Sequence, residues 1–476
     1  MTADVAIASS DSELLESLQS YRYPWPATPL GANPSWTLDV DGQYYCRAMP
    51  ETAEELARDS RWPALFPAPI CIVTTTDGTR VAMEREVGAS IVNRFPYVVA
   101  LSICRESLSD RHHSRDTFMR ILERGGVASL QFLPPGIALD TTTNAIAALP
   151  DSQCDLRIER TGLATRKSVT NDAPVFESSY MVYETRLAKP QIDFEGQPIY
   201  QTPWSDVGSH RIYFLEINAI QLRQDIAMGR AQIRWRALPT WQPARTNPAA
   251  VPKSSPLQHS RYQKGYNPNY TFPAANTIAF EYDEVCNGMA IKHLPPLPKD
   301  QVEVDNDRAR WPCFFPSSCG LITTWSDDRT PNLMPCGSTT IVSRSPLIIS
   351  PCVSNAKINE RYATRKSLEI IRRTGRFGCG VPYISDTIVN AMKYAGNNSL
   401  ADDPVKVFNS GLNIEHSEYG PVLTEVPIHF DCEVSGELRL GTHIMFFGEV
   451  KRIRVRADVT PENPLVWCPW AGVVPG

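Results

Sequence analysis

The stretch RWPCFFPSSCGLITT at residues 310–324 restates RWPALFPAPICIVTT at residues 61–75, with the same Arg-Trp-Pro opening, central Phe-Pro and closing Thr-Thr. An internal repeat constrains a fold strongly, because each copy must be one structural unit and the units must pack together. The correspondence continues. NRFPYVVALSI (93–103) lies opposite SRSPLIISPCV (343–353), and DRHHSRDTFMRILERGG (110–126) opposite ERYATRKSLEIIRRTGR (360–376). The spacing from Pro96 to Arg111 equals that from Pro346 to Arg361, and Gly125 and Gly375 stay in register. DAPVFESSYMVYETRL (172–187) answers YGPVLTEVPIHFDCEV (419–434), and SHRIYFLEINAIQLR (209–223) answers THIMFFGEVKRIRVR (442–456). An insertion in the first copy, AKPQIDFEGQPIYQTPWSDVG (188–208), explains the lost register between those pairs and suits a surface loop that could cover a site.

A chain of 476 residues exceeds one ordinary core and divides naturally into two halves. The expected division is an N-terminal arm (1–36), a first domain (37–237), a Pro-rich linker or arm (238–276) and a second domain (277–476). The arm before the second copy, NPNYTFPAANTIAFEYDEV, loosely echoes YPWPATPLGANPSWTLDVD before the first. A net charge of −5 gives no basic field for nucleic acid. The first residues carry no leader pattern, and no stretch approaches the roughly 20 apolar residues of a membrane span. The expectation is a soluble, cytoplasmic protein with no membrane partner. Its twelve cysteines contain no Cys-x-x-Cys and its histidines are scattered apart from His112-His113, so reduced thiols and no metal site are expected.

The runs CIVTT, YVVALSI, LITT, PLIISPCV and IMFFGEVKRIRV are short, rich in Val, Ile and Phe, and bounded by Pro, Gly and Asp, which predicts strands. Between them, Ser114–Arg124 and Thr364–Arg373 predict one short helix per repeat, opened by a hydroxyl cap and closed at Gly125 and Gly375. Phe118 with Ile121, and Leu368 with Ile371, form the buried stripe of each. A further helix is predicted near Thr387–Tyr394. Many strands with few helices make a mainly β fold, a β-barrel with short helices.

In ERYATRKSLE, Arg361, Thr364, Arg365 and Lys366 converge on the start of the second helix, where unpaired N–H groups attract a phosphate. A capped surface helix with solvated basic residues reads the same way.

The ordered set FPSSCGLITT, PNLMPCGSTTIVSRSPLIIS, INERYATRKSLEIIRRTGRFGCGVP, YGPVLTEVPIHFDCEV and GTHIMFFGEVKRIRV resembles the flavin reductase-like family of FMN-binding split barrels over about Trp311–Val455. The first copy, about Trp62–Leu222, is similar but more diverged. The resemblance implies two tandem FMN-binding split-barrel domains forming an internal pseudo-dimer, FMN as cofactor, and NADH or NADPH as reductant. Reduced flavin would then serve a small organic substrate, O2 or a partner monooxygenase. Carried onto this chain, it implies flavin contacts from Asn332, Ser338, Thr339 and Thr340, phosphate contacts from Arg361, Thr364, Arg365 and Lys366, and His443 near the approaching nicotinamide or substrate. The chain would act as a monomer that is its own dimer, with further dimerisation left open.

The first copy departs from that pattern. Ala82 stands opposite Asn332, the charged trio Glu84, Arg85, Glu86 opposite Met334–Cys336, and Asp116 opposite Lys366. A carboxylate about 4 Å from a phosphate costs roughly 1 kcal/mol in water, rising towards 4 at an effective dielectric of 20. Arg111, Ser114, Arg115 and His210 persist as a possible second, diverged site. The expectation is one good FMN site per chain. The rivals are a barrel that holds haem through a histidine such as His443 or His210, or a cysteine, and a non-catalytic binding protein with degenerate sites.

Overall fold

The computed structural model describes residues 37–38, 44–48, 70–86, 88–93, 96–107, 113–133, 137–224, 231–236, 257–258, 284–286, 289–293, 319–327, 329–355, 365–382, 386–458 and 470–475. The principal elements are β1 (Thr37–Leu38), β2 (Tyr44–Ala48), β3 (Cys71–Thr76), β4 (Val81–Glu86), β5 (Ala89–Asn93), β6 (Val98–Cys104), α1 (Asp116–Gly125), β7 (Val127–Phe132), α2 (Ile137–Ala148), α3 (Arg157–Thr161), β8 (Met181–Leu187) and β9 (His210–Arg223). They continue with β10 (Glu284–Cys286), β11 (Met289–His293), β12 (Gly320–Trp325), β13 (Pro331–Cys336), β14 (Thr339–Arg344), β15 (Leu347–Ser354), α4 (Lys366–Thr374), β16 (Arg376–Val381), α5 (Asp386–Asn397), α6 (Lys406–Asn409), β17 (Ile428–Arg439) and β18 (His443–Arg456).

The fold is mainly β, two barrel-like sheets with short helices. One sheet runs β10-β11-β9-β8-β7-β3-β4, with β6 joining β5 to β9. The other runs β1-β2-β18-β17-β16-β12-β13, with β15 joining β14 to β18. The strand order is the same in both. The arms, however, are exchanged: β2, ahead of the first half, pairs with β18 of the second, and β11, ahead of the second, pairs with β9 of the first.

Side chains alternate faces along a strand, so a strand apolar at every position needs two apolar environments. In β15, Leu347, Ile349 and Val353 fill the second barrel, whereas Ile348 and Cys352 face the other half. In β6, Val99, Leu101 and Ile103 fill the first barrel, and Val98 and Ala100 face outward to the same shared layer. Phe214 of β9 and Met445 and Phe447 of β18 complete that layer. The continuous apolar runs therefore record two packed barrels with a third core between them.

Polar pins cross the same interface. Ser102 Oγ donates to the Val342 carbonyl (2.8 Å) and Cys352 Sγ to the Val92 carbonyl (3.1 Å). The insertion belongs here too. Ala188, Ile199, Tyr200 and Val207 are buried in the shared layer, Tyr200 Oη donates to the Leu440 carbonyl (2.9 Å), and Arg439 pairs with Asp193 (2.5 Å) and with Glu195. It braces the β17–β18 turn of the opposite half.

The predicted helices form, with Phe118, Ile121, Leu368 and Ile371 all buried. Their starts differ from expectation. Ser114 is not the cap of α1: Arg115 and Arg365 occupy the N-cap positions of α1 and α4, and neither caps through its side chain; Thr364 lies outside the described residues. The predicted helix near 387–394 is α5, which packs through Ile388, Ala391, Met392 and Ala395 on Leu321 and Leu333. Helices α2, α3 and α6 were not expected; on the buried side of α2, Thr142, Thr143 and Ala145 separate Leu139 from Ile146 and interrupt the bulky apolar stripe that announces a helix. None of the described cysteines is in a disulfide, no described cluster could hold a metal ion, and no described helix is long and apolar enough to cross a membrane.

Candidate functional site

The start of α4 lies against β12, β13 and the end of β15. Asn332, fully buried on β13, stands opposite Thr324 of β12. Its Nδ2 donates to Thr324 Oγ1 (3.0 Å) and to Ser367 Oγ in the first turn of α4 (2.9 Å), while its Oδ1 has no partner. An open buried acceptor costs about 1–3 kcal/mol unless a ligand supplies a donor. Arg365, extended at the helix start, donates its N–H to the Ser354 carbonyl (3.2 Å), and burial pulls its guanidinium down from its ordinary value.

Ser354 is the hinge of the arrangement. It ends β15 directly opposite His443, the first residue of β18, and its buried Oγ also has no partner. His443 Nδ1 lies 2.8 Å from Thr442 Oγ1. Thr442 donates both its N–H (2.8 Å) and its hydroxyl (2.6 Å) to Asn93 Oδ1 of the first half. With the hydroxyl proton spent on Asn93, Thr442 Oγ1 accepts from His443, which puts the neutral ring's proton on Nδ1 and its lone pair on Nε2.

The remaining predicted residues fall as follows. Ser338 is half-buried in the β13–β14 turn and its carbonyl accepts from Cys352 N (3.0 Å). Thr339 and Thr340 are buried, and Thr339 Oγ1 donates to the Cys336 carbonyl (2.8 Å). Lys366 is exposed and paired with Glu369, three residues along the helix, so its charge is turned to the surface. Arg361, Thr364 and Arg111 lie outside the described residues.

One cation was missed by sequence reasoning. Lys406, the first residue of α6, is only 4 % exposed and donates to the carbonyls of Ala395 (3.4 Å) and Asn398 (3.1 Å). Burial first, and then the charge of Arg365, pull its ammonium down to about 8. A buried ammonium and a half-buried guanidinium that repel one another favour an anion between or beside them. The signal was present: Lys406 precedes Gly411 as Arg157 precedes Gly162, a basic residue at the same distance in both copies.

The first half uses the same scaffold differently. Ala82 stands opposite Thr75 as Asn332 does opposite Thr324, so the open amide is replaced by a methyl group. Arg115 does not face an open site; its Nε pairs with buried Glu84 (2.6 Å), which also takes Arg157 Nη1 (2.6 Å). Ser114 N–H donates to Ser107 Oγ (3.0 Å), and buried His210 Nδ1 meets Ser209 Oγ (2.9 Å). Glu86 is pushed well up by burial and by Glu84.

Comparison with known proteins places the family likeness in the second half. Residues 313–471 match the model of the flavin reductase like domain. No curated protein matches the chain. Among solved structures, nitrilotriacetate monooxygenase component B from Bacillus cereus aligns at 17% identity over 38% of this chain and 95% of its own, with a TM-score of 0.31. Flavoredoxin of Desulfovibrio vulgaris (Miyazaki F) aligns at 24% identity over 30% of this chain and 70% of its own, with a TM-score of 0.25. Flavoredoxin from Methanosarcina acetivorans aligns at 16% identity over 34% and 87%, with a TM-score of 0.28.

Proposed function

We propose that the chain is a cytoplasmic FMN-dependent oxidoreductase, a duplicated flavin reductase-like domain that forms its own pseudo-dimer and carries one flavin, in the second half. The observation that carries this reading is the open Asn332 amide at the start of α4, with Arg365 at the same helix start and Lys406 near enough to feel its charge, inside the segment that matches the flavin reductase like domain.

The donor set fits the cofactor. Arg365, Lys406 and the first N–H groups of α4 would hold its phosphate, helped by Arg361 and Thr364 of the preceding segment. Asn332 Oδ1, Ser354 Oγ and the Ser338 hydroxyl offer polar contacts to the ring and ribityl chain. When bound, FMN supplies the hydride acceptor, which NADH or NADPH would reduce. His443, fixed with its lone pair on Nε2, can accept a hydrogen bond from the incoming reductant or substrate and hold it in place. Asn93 keeps that ring orientation from across the interface. The insertion, locked to Arg439, limits movement of the turn that carries His443 and helps keep water out. The reduced cofactor would act on a small organic substrate or O2, or serve a partner monooxygenase.

The test is the absorbance spectrum of the purified protein, with released flavin quantified per chain and NADH or NADPH oxidation followed by loss of their absorbance. About one FMN per chain and pyridine-nucleotide oxidation are expected. A Soret band, or a colourless protein that refuses added FMN, would overturn the reading.

A further inference from the structure

We propose that the first half is an anion site closed from within, its Glu84 and Asp151 carboxylates standing where a ligand phosphate stands in the second half. The proposal rests on the reading that the second half holds the FMN phosphate.

The two halves can be compared residue by residue because strand register aligns them. Glu84 pairs across from Val73 on β3, and Met334 pairs across from Ile322 on β12, so these two residues are equivalent. Arg115 and Arg365 occupy the same position before α1 and α4, and Arg157 and Lys406 are the first residues of α3 and α6.

In the first half Glu84, fully buried, joins Arg115 and Arg157 through one oxygen, and its other oxygen accepts from Arg85 N (3.0 Å). Asp151, from the short turn after α2, reaches the start of α1 and accepts from Thr117 N (2.6 Å) and Phe118 N (3.3 Å). Two carboxylates thus satisfy two guanidinium groups and two helix N–H groups. That donor set is the one a phosphate takes at a helix N-terminus.

In the second half both carboxylates are missing. Met334 brings no charge, and among the described residues no side chain caps α4 as Asp151 caps α1. Lys406 enters none of the ion pairs among those residues: its buried ammonium rests on the Ala395 and Asn398 carbonyls, and Asp403 acts on it more weakly than Arg365 does. A buried charge with no carboxylate in direct contact is expensive to keep unless something else supplies one. The first half therefore displays, built from its own side chains, the occupancy that the second half receives from its ligand. It also excludes a phosphate twice, by filling the space and by like charge.

The experiment titrates the full chain with FMN and with riboflavin, reading stoichiometry by flavin fluorescence and by calorimetry. The wild type is expected to bind one FMN. The triple variant Glu84→Met, Asp151→Ser, Arg157→Lys removes both closing carboxylates and puts a lysine where the second half has Lys406, and is expected to bind two FMN while riboflavin gains no second site. A folded triple variant that still binds one FMN, or a wild type that binds two, overturns the closed site and leaves the second-half assignment standing. A wild type that binds none overturns both. Should the triple variant not fold, Glu84→Gln keeps the shape and removes the charge. Orthophosphate should then raise the melting temperature of this variant more than that of the wild type, and equal shifts would overturn the proposal.

Discussion

Asn93 Oδ1 accepts both the backbone N–H and the hydroxyl of Thr442, residues 349 positions apart and on opposite halves of the molecule. The equivalent contact on the other side joins Ser343 Oγ to Ser209 N (3.1 Å). Residue contacts partner and partner's counterpart contacts residue's counterpart, the pattern of a two-fold interface written into one chain.

Replacing Asn93 with alanine leaves a buried N–H and a buried hydroxyl without their acceptor, a loss of about 1–3 kcal/mol. A lower denaturation midpoint is expected, together with slower NAD(P)H oxidation at nearly unchanged FMN affinity, because the change frees His443 and not the phosphate end. Weakened FMN binding with unchanged turnover would contradict this assignment.

Lys406 sets a pH dependence. Its ammonium is held at about 8 against an ordinary 10.5. Between those values the unfolded chain binds more protons than the folded one, so stability in the absence of ligand rises with pH across that window. Anion affinity moves the other way, falling as pH climbs through about 8 and the ammonium loses its proton. Titrations with FMN and riboflavin from pH 7 to 10 should show their difference in affinity shrinking, and Lys406→Met should remove that dependence.

Gly208 sits at the crossing point of the halves with φ 52°. A Cβ there would lie 2.3 Å from Ser343 Oγ and 2.7 Å from the Ser345 carbonyl oxygen. The carbonyl is backbone and cannot step aside, so Gly208→Ala should destabilise by more than about 1 kcal/mol. Thermal unfolding of the intact chain measures it.

Asp431 gives the acid limb. Burial alone would raise its carboxyl, but His429, Arg454 and Arg452 outweigh burial and hold it far below the usual carboxylate range. Its folded value being the lower, the stability it contributes is present at neutral pH and is lost as pH falls below the ordinary carboxylate range. Denaturation midpoints should therefore drop less steeply from about pH 4 to about pH 2 in Asp431→Asn than in the wild type.

Most of the strand framework was legible because a barrel strand is a local pattern, and duplication let each copy check the other. Asn332 and Arg365 were singled out by the family resemblance, and the structure brings both to the start of α4. Lys406 was not, since its burial depends on the packing of α6 under α5, a contact that no local window contains. Glu84 stood out as a charge in an apolar strand, yet its meaning needed Arg157, which is 73 positions away. The cap of α1 was misjudged because Asp151 reaches it through space, where a sequence window looks for a neighbouring hydroxyl.

The exchanged arms bear on what selection can remove. Strand β2 completes the edge along β18, and β11 completes the edge along β9. A sheet edge stripped of its neighbour invites pairing with foreign chains. Neither copy can then be deleted or expressed alone without uncovering the other. Each half thus serves the other as a chaperone in residence, bound to keep its shape whatever its chemistry.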